Sequence, residues 1–144
     1  MKCVEGYALT SSALLDAFIS CWDNKYRYIK VRPETVINSD IDPKWTPFLQ
    51  TPPFPEYTSG HSTISAAAAE VLSKVVGENV TFTDSTEHKF GHGVMTFNSF
   101  REAAKMASIS RVYGGIHFRS GCDEGAKAGT LVGLNVLKVA NTRK

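Results

Sequence analysis

Apolar positions recur with helical spacing in four stretches of the chain, and each stretch has its own boundary signals. Leu14, Leu15, Phe18, Ile19 and Trp22 fall on one face of a first predicted helix, with Ser11 or Ser12 as its cap. A second runs from about His61 to Val76. Its stripe is Ile64, Ala68, Val71, Leu72 and Val75, and Gly77 is a natural stop. The alanine run Ala66 to Ala69 inside it favours helix and lets a neighbouring helix approach closely. A third begins near Asn98 or Ser99, where Ser99 and Glu102 form a capping-box pattern, and buries Phe100, Ala103, Ala104 and Ala107. The fourth spans about Asp123 to Ala140. Gly125, Gly129 and Gly133 are spaced by four along it, a stripe that predicts close packing against another helix.

The rest of the pattern is irregular. From about Pro33 to Tyr57 the chain reads as a long loop holding Pro33, Pro43, Pro47, Pro52, Pro53 and Pro55, which are all six prolines. Continuous helix is excluded there, and so long a loop in a small domain points to a functional role. Val80–Thr83 and Val94–Phe97 are short β-prone pieces that form at most a small ribbon. The expected fold class is all-α, a helical bundle with long active-site loops.

Composition narrows the function classes. The 144 residues suit one domain, taken as 1–144, with a hydrophobic core; 42% are hydrophobic and 21% charged. A net charge of +2, spread along the chain, does not argue for nucleic-acid binding. No stretch has the roughly 18 apolar residues of a membrane helix. Met1 to Ser20 does not read as a signal peptide, which leaves the compartment of the full-length protein, and its export, undecided. Cys3, Cys21 and Cys122 have no zinc-ligand spacing and read as reduced, partly buried thiols, with one bridge and a leftover thiol as the alternative.

Three short segments carry candidate chemistry. In Tyr57-Thr58-Ser59-Gly60-His61 a hydroxyl, a glycine and a histidine stand at a helix start, where free backbone N–H groups make an anion site. Taken alone, Ser59 reads as well as a plain cap. Lys25 and Arg32 are seven apart, two turns if helical, and could project to one side, although a solvated basic face with Arg27 and Lys30 has the same pattern. Ser110-Arg111-Val112-Tyr113-Gly114-Gly115-Ile116-His117 ends a helix, reverses on two glycines and presents a histidine. His88 and His92 are four apart, but Gly91 and Gly93 flank His92 and make a helix there doubtful, so both read as surface histidines of a loop. Trp45, Phe48 and Phe54 either line a substrate entrance or anchor the loop.

Together the segments resemble the superfamily of vanadium-dependent haloperoxidases and type 2 phosphatidic-acid phosphatases. Its pattern is a lysine, six residues and Arg-Pro; then Ser-Gly-His; then Ser-Arg, five residues and His. Here these are KYRYIKVRP from Lys25, YTSGH from Tyr57 and SRVYGGIH from Ser110, in the same order and spacing. TPPFPEYTSGH and GGIHF look more like the haloperoxidase branch. The resemblance implies a vanadate or phosphate held by Lys25, Arg32, Ser59, Gly60 and Arg111. It implies His117 as the vanadate ligand or the phosphorus nucleophile, and His61 as the acid–base group. Lys25 and Arg111 would join the two histidines in catalysis. The implied cofactor is vanadate, with peroxide and halide as substrates. The sister chemistry is phosphoester hydrolysis through a phosphohistidine, as in the acid phosphatases, and a non-catalytic anion-binding helical module is the reading from another class. Two departures stand out. Thr58 occupies a common proline position. Gly121 stands where the phosphatase pattern has an aspartate orienting the second histidine, which tilts the reading towards the haloperoxidases and leaves Asp123 or a backbone carbonyl to take that part. The family's helical domain is larger, so the chain is expected to be its C-terminal, site-bearing portion, complete only in a longer protein or as a homodimer.

Overall fold

A computed structural model describes residues 2–140. In it five α-helices and a small ribbon follow one another: α1 (Lys2–Tyr28), α2 (Pro33–Asp40), α3 (Gly60–Val75), β1 (Phe82–Asp84), β2 (Met95–Phe97), α4 (Phe100–Tyr113) and α5 (Arg119–Val139). The all-α expectation holds. Phe82 to Asp84 pairs antiparallel with Met95 to Phe97, a two-stranded ribbon inside the span that reads as β-prone. None of the helices is long and apolar enough to cross a membrane among the described residues.

Helix α3 is the centre of the bundle, with α1, α4 and α5 packed around it. The core joins Leu9, Ala13 and Ala17 of α1 to Ala67, Val71 and Val75 of α3 and Val136 of α5. The glycine stripe of α5 behaves as expected. A Cβ on Gly125 would stand 2.9 Å from the Ser59 carbonyl oxygen, and one on Gly133 2.7 Å from that of Ala67. At Gly129 it would run into the Thr63 carbonyl. Only residues without side chains let the two helices come this close.

The first helix differs from its sequence reading in start and in face. Ser11 and Ser12 are not caps but lie inside α1, where the Ser12 hydroxyl donates back to the Ala8 carbonyl at 3.0 Å. The buried face is Leu9, Ala13, Ala17, Cys21 and Lys25, four apart, whereas Leu15, Phe18 and Ile19 are exposed. Small residues win the inner face because they let α1 lie close to α3. The larger apolar ones are left on an open surface.

The long loop is also shorter than expected, because α2 occupies its first eight residues. Pro33 sits in the first turn of α2, where its missing N–H costs nothing and its fixed φ suits a helix start. The proline that reads as a breaker is here an initiator. By contrast, Ser99 caps α4 as read, its hydroxyl accepting from the Glu102 N–H at 3.1 Å, while the Glu102 carboxylate reaches back one residue further than in a capping box and accepts from the Asn98 N–H at 2.6 Å.

Candidate active site

Each functional segment is placed by the bundle. Ser59 is the N-cap of α3, its hydroxyl accepting from the Ser62 N–H at 3.3 Å. Gly60 and His61 therefore open the first turn, where the helix presents free N–H groups. Helix α4 ends at Tyr113, and Gly114 and Gly115 (φ +75°) turn the chain so that Ile116 and His117 point back inside. That turn is covered by the proline-rich loop. The Leu49 N–H donates to the Gly114 carbonyl at 3.0 Å, and a Cβ on Gly115 would stand 3.0 Å from both Trp45 and Pro47. Trp45 is thus an anchor of the loop, Phe48 is 90% exposed, and Phe54 lines the cavity described next.

Lys25 and Arg32 are not two turns apart on one helix. Helix α1 stops at Tyr28, and Ile29 takes a left-handed conformation (φ 47°) that turns the chain. Arg32 then sits at the N-cap of α2. Both cations are nevertheless buried and reach the same loop. Lys25 Nζ donates to the Pro55 and Glu56 carbonyls at 2.9 and 3.0 Å. Arg32 donates to Phe54 O at 3.1 Å through Nε and to Ile116 O at 2.7 Å through Nη1. Both also stand 5.1 Å from the centre of the Phe54 ring. The solvated basic face describes Arg27 and Lys30, which are exposed, and not these two.

A cavity of about 290 Å³ is lined by Trp22, Phe54, Gly60, His61, Arg111 and His117, among others. Lys25 and Arg32 lie behind the Phe54 wall, and Ser59 lies beneath Gly60. All seven residues expected from the sequence are thereby gathered at one end of the bundle. Arg32 Nη1 stands 3.1 Å from His117 Nε2, while His117 Nδ1 stands 2.7 Å from a carboxylate oxygen of Glu56. A guanidinium can only donate and a carboxylate only accept, so Nε2 carries the lone pair and Nδ1 the proton.

The electrostatics describe a site short of negative charge. Burial, with help from Arg32, draws the Lys25 ammonium down to about 8. Burial likewise lowers the guanidinium of Arg32, aided by Arg111, and that of Arg111 itself. His117 is lowered chiefly by burial, against the raising effect of its Glu56 hydrogen bond. His61, at the cavity mouth, is lowered by desolvation, then by Arg111 and His117. The buried Arg111 Nε finds no hydrogen-bond partner among the described residues. A buried donor without an acceptor, among like charges, fits a tetrahedral oxyanion.

Glu56 is the site residue that sequence reasoning missed. His117 Nδ1 meets the carboxylate of an acid 61 residues earlier in the chain, not one on α5. Asp123 is exposed on α5 and makes no hydrogen bond to His117. The only signal was an acid inside PPFPEYTSGH. His88 and His92 are exposed, as expected, and no cluster of metal-ligating side chains stands among the described residues.

Comparisons with known proteins place the chain in a family and agree with its fold. The family described as VCPO second helical-bundle domain matches residues 5–143. The crystal structure of a bacterial vanadium-dependent iodoperoxidase superposes with a TM-score of 0.92 at 53% identity, over 95% of this chain and 33% of that one. A bacterial vanadium-dependent chloroperoxidase has the same fold. Its holo-type structure gives a TM-score of 0.77 at 20% identity, over 88% of this chain and 33% of that one. Its apo-type structure gives 0.72 at 18% identity, over 85% and 33%. The chain therefore spans about a third of the length of these solved proteins. No curated protein matches it.

Proposed function

Because the chain belongs to the vanadium-dependent haloperoxidase family, we propose that it carries the oxyanion site of a peroxidase that oxidises iodide with hydrogen peroxide. The observation that carries this reading is Arg111, which lines a cavity shared with His61 and His117 and whose buried Nε has no hydrogen-bond partner among the described residues. The choice of iodide is supported by the 53% identical iodoperoxidase. The reaction is H2O2 + I⁻ + H⁺ → HOI + H2O.

Bound vanadate would supply a Lewis-acidic centre that makes peroxide electrophilic without changing oxidation state. The chain's own residues prepare that centre. Lys25, Arg32 and Arg111 neutralise the oxyanion. Lys25, fixed by loop carbonyls beforehand, would need little reorganisation, whereas Arg32, also held by loop carbonyls, would turn Nη1 from His117 to the oxyanion. Ser59 and the Gly60 N–H, at the positive end of α3, hold its oxygens. His117 would be the protein ligand through Nε2, whose lone pair accepts from Arg32 Nη1 at 3.1 Å here and would pass from that donor to the centre. His61, its imidazolium disfavoured by desolvation and by Arg111, would take a proton from peroxide and return it to the departing oxygen. Trp22 and Phe54 give the cavity an apolar wall that limits water.

Triiodide formation from iodide and peroxide, with and without added orthovanadate, tests the proposal, with phosphate release from a generic phosphoester as the comparison arm. The expected result is vanadate-dependent iodide oxidation that His117→Ala abolishes. Phosphate release without oxidation would move the chain to the phosphatase chemistry. Neither activity, with vanadate binding unaffected by His117→Ala, would overturn the enzymatic reading.

A further inference from the structure

The carboxylate that meets His117 comes from outside its own segment. Glu56 Oε1 lies 2.7 Å from His117 Nδ1 and accepts the Phe118 N–H at 3.2 Å. One oxygen thus binds both the ring and the backbone beside it, which removes the freedom of the ring to turn. The two side chains are 3% and 4% exposed, so water does not compete. The Glu56 backbone is itself pinned: its N–H donates to Lys30 O at 2.9 Å, and its carbonyl accepts from Lys25 Nζ at 3.0 Å. Beside it the Ser59 N–H donates to Gly121 O at 2.9 Å, fastening the loop to α5. The space for the carboxylate is provided by a missing side chain. A Cβ on Gly121 would collide with Oε1, and would stand 2.8 Å from both Oε2 and Cδ.

We propose that Glu56 is the positioning residue of His117, holding the Nδ1–H tautomer so that Nε2 faces the oxyanion pocket, and that Gly121 exists as glycine to admit that carboxylate. This rests on the oxyanion-site reading above and assigns to a loop residue the orienting part that an acid on α5 would otherwise take. Such a partner of a ligating histidine is typically worth about 10–100-fold in affinity.

The test uses the 144-residue chain without peroxide or halide, and two measurements. One is orthovanadate affinity by calorimetry. The other is the ¹⁵N spectrum of His117 in ligand-free protein, which distinguishes the two imidazole tautomers. Glu56→Ala is expected to weaken vanadate binding at least tenfold and to leave the tautomers mixed. Glu56→Gln, nearly isosteric and still able to accept from Nδ1, should keep the tautomer and lose only a few-fold. Gly121→Ala should reproduce the loss of Glu56→Ala, and the double variant should bind no worse than either single one, since both remove one contact. Vanadate affinity within twofold in Glu56→Ala, with the tautomer unchanged, would overturn the proposal, as would additive losses in the double variant. If the unsubstituted chain fails to bind vanadate, the oxyanion reading falls by itself, while the tautomer spectra of the variants still decide the role of Glu56.

Discussion

Gly129 of α5 lies against the backbone of Thr63 in α3, so close that no side chain fits between them: an added Cβ would run into the Thr63 carbonyl. Since Thr63 is one helical turn beyond Ser59, this contact sets the distance between α5 and the start of α3. Gly129→Ala is expected to force the helices apart and destabilise the chain by about 3 kcal/mol, the upper end of ordinary overpacking. Gly6 is the control. A Cβ there would meet only Val75 at an ordinary 3.8 Å, so Gly6→Ala should be neutral or stabilise by up to about 1 kcal/mol through helix propensity. Urea unfolding of the two variants checks the contrast, and equal effects would show that the glycine stripe does not set the packing.

Arg111 should be a residue that costs stability and confers binding. Its Nε is buried without a partner among the described residues, and its charge adds to those of Lys25 and Arg32. Arg111→Met is therefore expected to leave ligand-free stability unchanged or raise it by about 1 kcal/mol. In the unsubstituted chain, orthovanadate at 100 times its Kd should add about 2.7 kcal/mol, a rise in Tm of roughly 5–10 °C. The variant should lose most of that rise. A large drop in its ligand-free Tm would contradict the account.

Lys25 gives the pH dependence. Its folded pKa, about 8, lies below the ordinary 10.5, so burial penalises the charged form. Between about 8 and 10.5 the unfolded chain binds more protons than the folded one, and stability must rise with pH across that window. Relative to Lys25→Met, the urea midpoint of ligand-free protein should climb from pH 8 towards pH 10. Affinity for sulfate, an oxyanion that does not titrate there, should fall over the same range as the ammonium is lost. A flat difference between the two proteins would mean that Lys25 is not desolvated.

The motifs were legible because their chemistry is local. Ser59-Gly60-His61 starts a helix, Ser110 to His117 ends one on two glycines, and both depend on residues adjacent in sequence. The glycine stripe was equally plain, because period and residue type agree. The face of α1 was misread, since Leu15, Phe18 and Ile19 outweigh Ala13, Ala17 and Cys21 in hydrophobicity, whereas burial followed size and closeness to α3. Pro33 was misread because a proline that ends one helix and a proline that starts another look alike until the φ/ψ of its neighbours is known.

By itself, then, the sequence determined the all-α class and the short segments of candidate chemistry that the fold brings together, for both follow from short-range pattern. Only the tertiary structure decided that Lys25 and Arg32 grip the proline-rich loop, that Arg111 is left with an unanswered donor, and that Glu56 faces His117 across 61 residues. Pairings of that kind depend on where α1, α3 and α5 come to rest against one another, and no periodicity along the chain records the distance between helices.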